Sequence, residues 1–110
     1  MIEEHQDIKF KKLEKLDPYS EKILFCIFGY GRDGICLVDI KEYFGDGIKK
    51  NRFYYHIMKL RDKDIVEEIG SKLRFVGKFE KIHRSPVYRI TEEYKNAVIK
   101  FFFPIFDVHE

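Results

Sequence analysis

The 110-residue sequence has little of what disulfide-bonded, secreted or membrane-spanning proteins need. It has only two cysteines, Cys26 and Cys36, and each lies in an apolar run, which predicts two buried reduced thiols over the alternative of a disulfide. No apolar run approaches the roughly 20 residues that span a bilayer. Residues 1–7 are mostly polar or charged, and no signal-peptide core follows them. These absences predict a cytoplasmic protein.

Residues that bind metals or cofactors are also sparse. The four histidines, His5, His56, His83 and His109, are scattered, and no Cys-x-x-Cys or His-x-x-x-His spacing occurs. The glycines at 29–31 follow a predicted helix, whereas a nucleotide-binding glycine loop follows a strand. We therefore expect no metal, no cofactor and no enzymatic activity. The single glutamine, beside many Ile, Lys and Glu residues, favours a thermophile source.

The net charge of +2 conceals an uneven distribution of charge along the chain. Between Lys49 and Ile90 there are 12 Lys and Arg residues against 5 Asp and Glu, whereas the rest of the chain has 9 against 14. This division favours a polyanion-binding segment over a uniformly charged surface, with chance clustering as the alternative. The length and the 45% hydrophobic content predict one soluble domain with a single core.

Helix signals precede the basic segment. Asp17 and Pro18 predict a helix start, because Asp caps free backbone N–H groups and Pro suits the first helical position. This helix extends to residue 28, a short strand follows at 35–37, and a second helix at 38–44. A tight glycine-containing turn at 45–48 then leads into the next helix. Residues 1–16 form either a short helix or a loose arm.

The stretch 49–61 predicts a helix with two unlike faces. Phe53, Ile57 and Leu60 recur at helical spacing and form an apolar stripe for the core. Cations, an amide and phenols lie largely off this stripe, and such groups contact phosphates and base edges. An ordinary amphipathic helix with a solvated basic face has the same pattern, so the neighbouring segments must decide its role.

A strand pair and a last helix complete the predicted order. Residues 65–69 and 87–90 have strand patterns, and Leu73, Phe75 and Val76 suggest a continuation of the first strand or a second hairpin arm. The basic segment at 70–86 is predicted to contain the long loop of this hairpin. Thr91 is expected to cap the last helix, whose first turn contains Glu92 and Glu93.

This order resembles the winged-helix DNA-binding domains of small prokaryotic transcription regulators, broadly the PadR, ArsR and MarR types. Asn51–Val66 resembles the recognition helix and its exit into the wing, and Val87–Tyr94 resembles the last wing strand entering the C-terminal helix. Asp64 stands where such proteins often have Gly, and Tyr54 and Tyr55 stand where small or basic residues are commoner. The resemblance implies an α+β, mostly α fold over residues 17–110, with a three-helix core, a β-hairpin wing and a C-terminal helix.

The resemblance also implies sequence-specific binding of double-stranded DNA by a transcription regulator. The helix at 49–61 would lie in the major groove, and the basic wing at 70–86 would contact phosphates or the minor groove. The pattern leaves Tyr54 open between core and surface, favours an exposed Tyr55 and favours a packed His56. The candidate DNA-binding residues are Lys49, Lys50, Asn51, Arg52, Tyr54, Tyr55, Lys59, Lys72, Arg74, Lys78, Lys81 and Arg84.

The aromatic C-terminus predicts a homodimer, because exposed aromatic patches mark interfaces and small regulators pair their recognition helices. The predicted interface residues are Tyr94, Val98, Phe101, Phe102 and Phe106. In the alternative, the aromatic side chains cover the first helix and the N-terminal segment. A second function also stays open, namely a winged-helix module that binds proteins and not DNA. A continuous positive surface would favour DNA, and a flat apolar patch of tyrosines and wing aromatics would favour a protein partner.

Overall fold

A computed structural model describes residues 2–45, 50–76 and 81–104, and the side chains of 7–45, 52–75 and 82–104. Within these residues the chain is α+β and mostly helical, as the sequence predicts, with five α-helices and a three-stranded antiparallel sheet. The elements in order are α1 (Ile2–Glu14), α2 (Pro18–Phe28), β1 (Ile35–Cys36), α3 (Leu37–Phe44), α4 (Lys50–Asp62), β2 (Val66–Val76), β3 (Lys81–Ile90) and α5 (Glu92–Phe102). Of the predicted turn at 45–48, only Gly45 belongs to the described residues.

Helix α2 begins as the sequence predicts. The Asp17 carboxylate accepts a hydrogen bond from the Ser20 backbone N–H at 2.9 Å, and Pro18 occupies the first turn. The helix then buries Ile23, Leu24 and Ile27 completely. It therefore forms the central helix of the core.

Residues 2–14 form helix α1, so the N-terminal segment is a helix and not a loose arm. Leu13 at its end is fully buried, and α1 packs along α5. The Phe10 and Phe101 rings meet edge to face at 5.8 Å, and the Lys9 ammonium donates to the Glu93 carbonyl oxygen at 2.9 Å. The N-terminal segment is therefore part of the same core.

The sheet has the strand order β1-β3-β2. Strand β1 pairs only with Val87 and Tyr88 of β3, whereas β2 pairs with β3 from Val66–Ile90 out to Val76–Lys81. The hairpin is longer than the strands predicted at 65–69 and 87–90. The predicted continuation of the first strand around Leu73, Phe75 and Val76 agrees with β2, whereas the loop prediction is wrong over 81–85, which belong to β3.

The core draws on every helix and strand. Both cysteines are buried and free, as predicted, and burial raises the pKa of the Cys26 thiol. No helix within the described residues has the length and apolar character required to cross a membrane. One core residue from each element, in chain order, is Leu13, Ile27, Ile35, Ile40, Phe53, Val66, Tyr88 and Val98.

Helix α4 is followed by a left-handed residue, which turns the backbone from the helix into strand β2. Asp64 has φ of 60°, the Ile65 N–H donates to the Leu60 carbonyl at 3.0 Å, and the Asp64 N–H donates to the Arg61 carbonyl at 2.9 Å. This is a Schellman motif with Asp in the position that usually holds Gly. Asp tolerates the left-handed region better than most residues, so the turn forms without glycine.

Thr91 occupies the N-cap position of α5, but its side chain does not cap the helix as predicted. Its hydroxyl donates instead to the carbonyl oxygen of Asp64 at 2.7 Å. The first turn of α5 is thereby bound to the end of α4.

Candidate nucleic-acid interface

Helix α4 divides into a buried and an exposed face. Phe53, Ile57 and Leu60 are almost fully buried, as the apolar stripe predicts, while Arg52 and Arg61 are exposed. Lys50 and Asn51 lie in the first turn of the helix, but their side chains are outside the described part of the chain, as is all of Lys49. The helix therefore directs a polar surface outward from a well-anchored core face.

Both tyrosines of α4 lie on its surface. Tyr54 is 50% exposed and Tyr55 is 58% exposed, so neither side chain belongs to the core. The Lys59 ammonium lies 5.3 Å from the centroid of the Tyr55 ring, a cation–π contact. The two phenols are therefore available to a partner that approaches α4.

A polar cluster lies where α4 crosses the start of α2. The Ser20 hydroxyl donates to Asp17 Oδ2 at 2.9 Å, and His56 Nδ1 lies 3.0 Å from Ser20 Oγ and 3.4 Å from Asp17 Oδ1. The Lys59 ammonium donates to Asp17 Oδ2 at 3.1 Å. Lys59, a predicted DNA ligand, thus holds α4 against α2.

The hydrogen bonds of this cluster define the tautomer of His56. The single Ser20 hydroxyl proton goes to Asp17, so Ser20 Oγ must accept from a protonated His56 Nδ1. His56 Nε2 is buried and has no hydrogen-bond partner among the described residues. Ser20 and Asp17 thus both contact Nδ1 of His56, whereas in a Ser–His–Asp triad the serine and the aspartate contact different ring nitrogens. His56 is a packed histidine, as predicted.

Asp17 is the electrostatic centre of this cluster. Partial burial raises the pKa of its carboxyl group, but hydrogen bonds from the Ser20 N–H, the Lys59 ammonium and the Ser20 hydroxyl outweigh burial, and His56 adds a smaller favourable charge. The pKa therefore lies well below its usual value. The ionised carboxylate stabilises the position of α4.

The hairpin carries basic side chains on one face. Cross-strand pairing places Lys72 opposite Ser85 and Arg74 opposite His83, on the same face. This face turns toward α3, because the Val38 N–H donates to Ser85 Oγ at 3.1 Å. Among the other predicted ligands, Lys78 lies outside the described residues, and Lys81 is described without its side chain.

The other hairpin face carries apolar side chains that sequence reasoning missed as a surface. Leu73, Phe75 and Ile82 are 63%, 67% and 69% exposed, and Phe75 is paired directly with Ile82. Arg84 lies opposite Leu73 on this face and donates to Ser71 Oγ at 3.0 Å. Alternation at 71, 73 and 75 is the signal that would have revealed this face, once the strand was recognised.

Contacts at the base of the hairpin join it to α4. The Arg61 guanidinium lies 3.8 Å from the Glu68 carboxylate. Burial together with the Glu68 and Tyr54 side chains, against an opposing effect of Arg61, raises the pKa of Tyr88 to about 12. The Arg61–Glu68 contact therefore joins α4 to the base of the strand pair that carries Ile82 and Arg84.

Acidic residues gather near the end of α4 and the base of the hairpin. A shallow groove between the end of α4, the base of the hairpin and α5 contains two arginines, and Arg89 of β3 pairs with Glu67 at 2.9 Å. A polyanion would be repelled from this groove. The carboxylates that line the groove are Asp62, Asp64, Glu67, Glu68, Glu92 and Glu93.

The C-terminal helix corrects part of the predicted dimer interface. Tyr94 and Val98 are 3% and 0% exposed, because α1 and the core cover them, so they stabilise the protomer and present no surface. Phe101 and Phe102 are half-buried against the core, and Phe106 lies outside the described residues. The aromatic residues thus cover α1 and α2, which is the alternative the sequence left open.

An aromatic cluster nevertheless reaches the surface between α2 and the end of α5. Phe25 is 45% exposed and its ring lies 4.9 Å from that of Phe102, and Phe28 lies 5.8 Å from Phe103. We call Phe25, Phe28, Phe102 and Phe103 the aromatic cluster.

No family model matches the chain, and no curated protein or solved structure is significantly similar to it. Within the described residues, no group of three or more His, Cys, Asp or Glu side chains is arranged to bind a metal ion.

Proposed function

We propose that the chain is a winged-helix protein that binds double-stranded DNA and regulates transcription, with α4 as recognition helix and the β2–β3 hairpin as wing. The observation that carries the proposal is the exposed polar face of α4, joined to a hairpin that carries basic side chains. The ion pair between Arg61 and Glu68 connects the two elements at the base of the hairpin. One duplex can therefore contact both.

In this arrangement each group has a defined task. The first turn of α4 enters the major groove, where Asn51 can bond adenine and Arg52 can bond guanine through paired hydrogen bonds. Tyr54 and Tyr55 donate to phosphates on the rim of the groove. Lys72 of the wing neutralises a phosphate, and each such contact lowers log affinity by about 0.9 per log unit of salt.

The test is the paired substitution Lys50→Ala with Arg52→Ala in a duplex-binding titration. We expect a large loss of affinity with an unchanged circular dichroism spectrum. The matched control is Lys11→Ala with Lys12→Ala, which removes the same charge from the exposed side of α1. Equal affinity of both double variants and the native protein would overturn the role of α4.

We also propose that the protein is a homodimer whose interface is centred on the aromatic cluster and not on Tyr94 or Val98. The half-exposed rings of Phe25 and Phe102 form an apolar surface of the kind that interfaces use. Phe25→Glu should produce a monomer by light scattering, while Tyr43→Glu, at a 71% exposed site on α3, should leave the dimer intact. A dimer that survives Phe25→Glu would contradict this interface.

The exposed apolar hairpin face favours a second candidate function, a protein-binding winged-helix module. The two candidates differ in their response to salt. Duplex binding weakens steeply as salt rises, whereas an apolar protein contact does not.

A further inference from the structure

We propose that the apolar face of the wing is a wedge that enters the DNA minor groove and partly unstacks a base step. The wedge consists of Leu73, Phe75 and Ile82. The inference rests on the proposed function. It adds to that function the insertion of apolar side chains into the minor groove and the resulting deformation of the duplex.

The geometry of the hairpin supplies the first support. Strand β1 covers β3 only at Val87 and Tyr88, so residues 71–76 and 81–86 form a two-stranded ribbon beyond the sheet. At about 3.3 Å per residue, each strand of this outer ribbon is about 20 Å long. One face of the outer ribbon contacts α3 through Ser85 and Arg74, and the opposite face is left open.

The exposure of the wedge supplies the second support. Its three side chains are each at least 63% exposed, and the Phe75–Ile82 pair lies one residue pair from the end of the hairpin ladder. An isolated two-stranded ribbon is marginally stable in water, and uncovered apolar groups add nothing to that stability. A partner that covers the wedge would stabilise the ribbon.

The charge of the hairpin favours DNA as the partner. Residues 70–86 contain five Lys and Arg against one Glu. Arg84 lies on the wedge face itself, opposite Leu73, and Lys72 is on the reverse face. Minor-groove proteins combine cations of this kind with Phe, Leu or Ile side chains that insert between base pairs.

The wedge also continues the proposed recognition surface. Ile82, Arg84 and Tyr88 alternate along one face of β3. Glu68, which lies opposite Tyr88 on that face, is 3.8 Å from the Arg61 guanidinium of α4. A duplex bound to α4 therefore meets the wedge side of the ribbon. Insertion would bend the duplex away from the wedge toward the major groove.

The absence of tryptophan from the chain permits a direct test. Phe75→Trp places a single indole in the wedge, and Tyr43→Trp places one at an exposed site on α3. The probe is a mixed-sequence duplex of about 30 base pairs rich in pyrimidine–purine steps, which kink easily. We expect the duplex to quench the indole fluorescence of the Phe75→Trp variant by stacking and to leave that of the control variant unchanged.

A second measurement uses a duplex labelled at both ends for energy transfer. The native protein should bend it, and Phe75→Ala with Ile82→Ala should remove the bend and weaken binding about tenfold, the loss expected for a stacked aromatic contact. Tyr30→Ala, at an exposed site after α2, should change neither.

The outcomes separate the two proposals. If the native protein binds no duplex, the proposed function fails and the wedge fails with it. If the protein binds the duplex but the fluorescence of Phe75→Trp is not quenched and the double variant bends DNA normally, only the wedge is overturned. If the double variant instead converts a dimer into a monomer while bending is retained, the apolar face is a contact between copies, which also overturns the wedge.

Discussion

Arg74 of the β2–β3 hairpin donates to Asp39 of α3 through a hydrogen bond of 2.6 Å between Nη2 and Oδ1. The other carboxylate oxygen of Asp39 accepts from the Cys36 thiol at 3.0 Å. Asp39 thus connects the hairpin to the helix that precedes α4. The ion pair also neutralises a cation that was predicted to bind DNA.

Asp39→Asn should therefore strengthen duplex binding. The substitution removes a negative charge beside the proposed interface and releases Arg74 for a phosphate, so the salt dependence should steepen by about one contact, or about 0.9 in the slope. Stability should change by less than about 1 kcal/mol, because the pair is partly exposed. Fluorescence anisotropy at several salt concentrations measures the affinity and its slope. Asp33→Asn removes the same charge at an exposed site, and equal behaviour of the two variants would exclude a specific role for Arg74.

Asp17→Asn should remove part of the acid sensitivity of the fold. The native pKa of Asp17 is lowered, so its contribution is present above the unfolded pKa, about 4, and is lost as pH falls below it. Asn still caps α2, so the loss at neutral pH comes from Lys59 and His56 and should be about 1 kcal/mol. Urea unfolding between pH 7 and pH 3 should show the two proteins converging toward acid. Asp7→Asn is the control, and parallel curves for Asp17→Asn and the native protein would refute the mechanism.

Tyr88→Phe should protect the fold at alkaline pH. The folded pKa of Tyr88, about 12, exceeds the usual 10, so the unfolded chain ionises first and stability falls as pH rises from 10 to 12. Two pKa units correspond to about 3 kcal/mol for this almost fully buried ring. Unfolding followed by circular dichroism should show a shallower alkaline loss in the variant. Tyr30→Phe, at a 54% exposed site, should behave like the native protein.

Asp64→Ala and Asp64→Gly should separate backbone strain from side-chain contacts. A left-handed residue with a Cβ costs about 1 kcal/mol or more, and Ala lacks the polar group that helps Asp there. We expect Ala to lower the free energy of unfolding by about 1 kcal/mol and Gly to stay within about 0.5 kcal/mol of the native value. Glycine adopts the left-handed conformation without strain, but its higher conformational entropy in the unfolded chain offsets that gain. Chemical denaturation of the three proteins measures these differences, and equal losses in both variants would assign the effect to the carboxylate instead.

Features that depend on neighbouring residues could be predicted from the sequence. The Asp17–Pro18 start of α2 and the buried stripe of Phe53, Ile57 and Leu60 follow from helical spacing and capping, which act within a turn or two. The order of helices and strands followed from such signals.

Features that depend on distant residues could not be predicted. The Thr91 hydroxyl bonds a carbonyl 27 residues earlier, and Arg74 pairs with a carboxylate 35 residues away. The burial of Tyr94 and Val98 depends on whether residues 2–14 pack against α5 as a helix. The sparse apolar residues of the 2–14 segment did not decide this. In each case competing partners existed, and only the packed chain selects one.

The register shift between Glu68 and Gly70 determines which residues share each face of the β2–β3 hairpin. With strict alternation from Val66, Arg74 would face Ile82 and Phe75 would face Lys81. The extra residue in the bulge changes the partners, so Phe75 meets Ile82 and Arg74 meets His83. Deletion of Ile69 would remove the bulge together with its extra residue, so the outer pairs and the two faces would be kept while the angle of the ribbon changed. A one-residue insertion or deletion at the bulge can therefore change the direction of this hairpin without changing which residues lie on each of its faces.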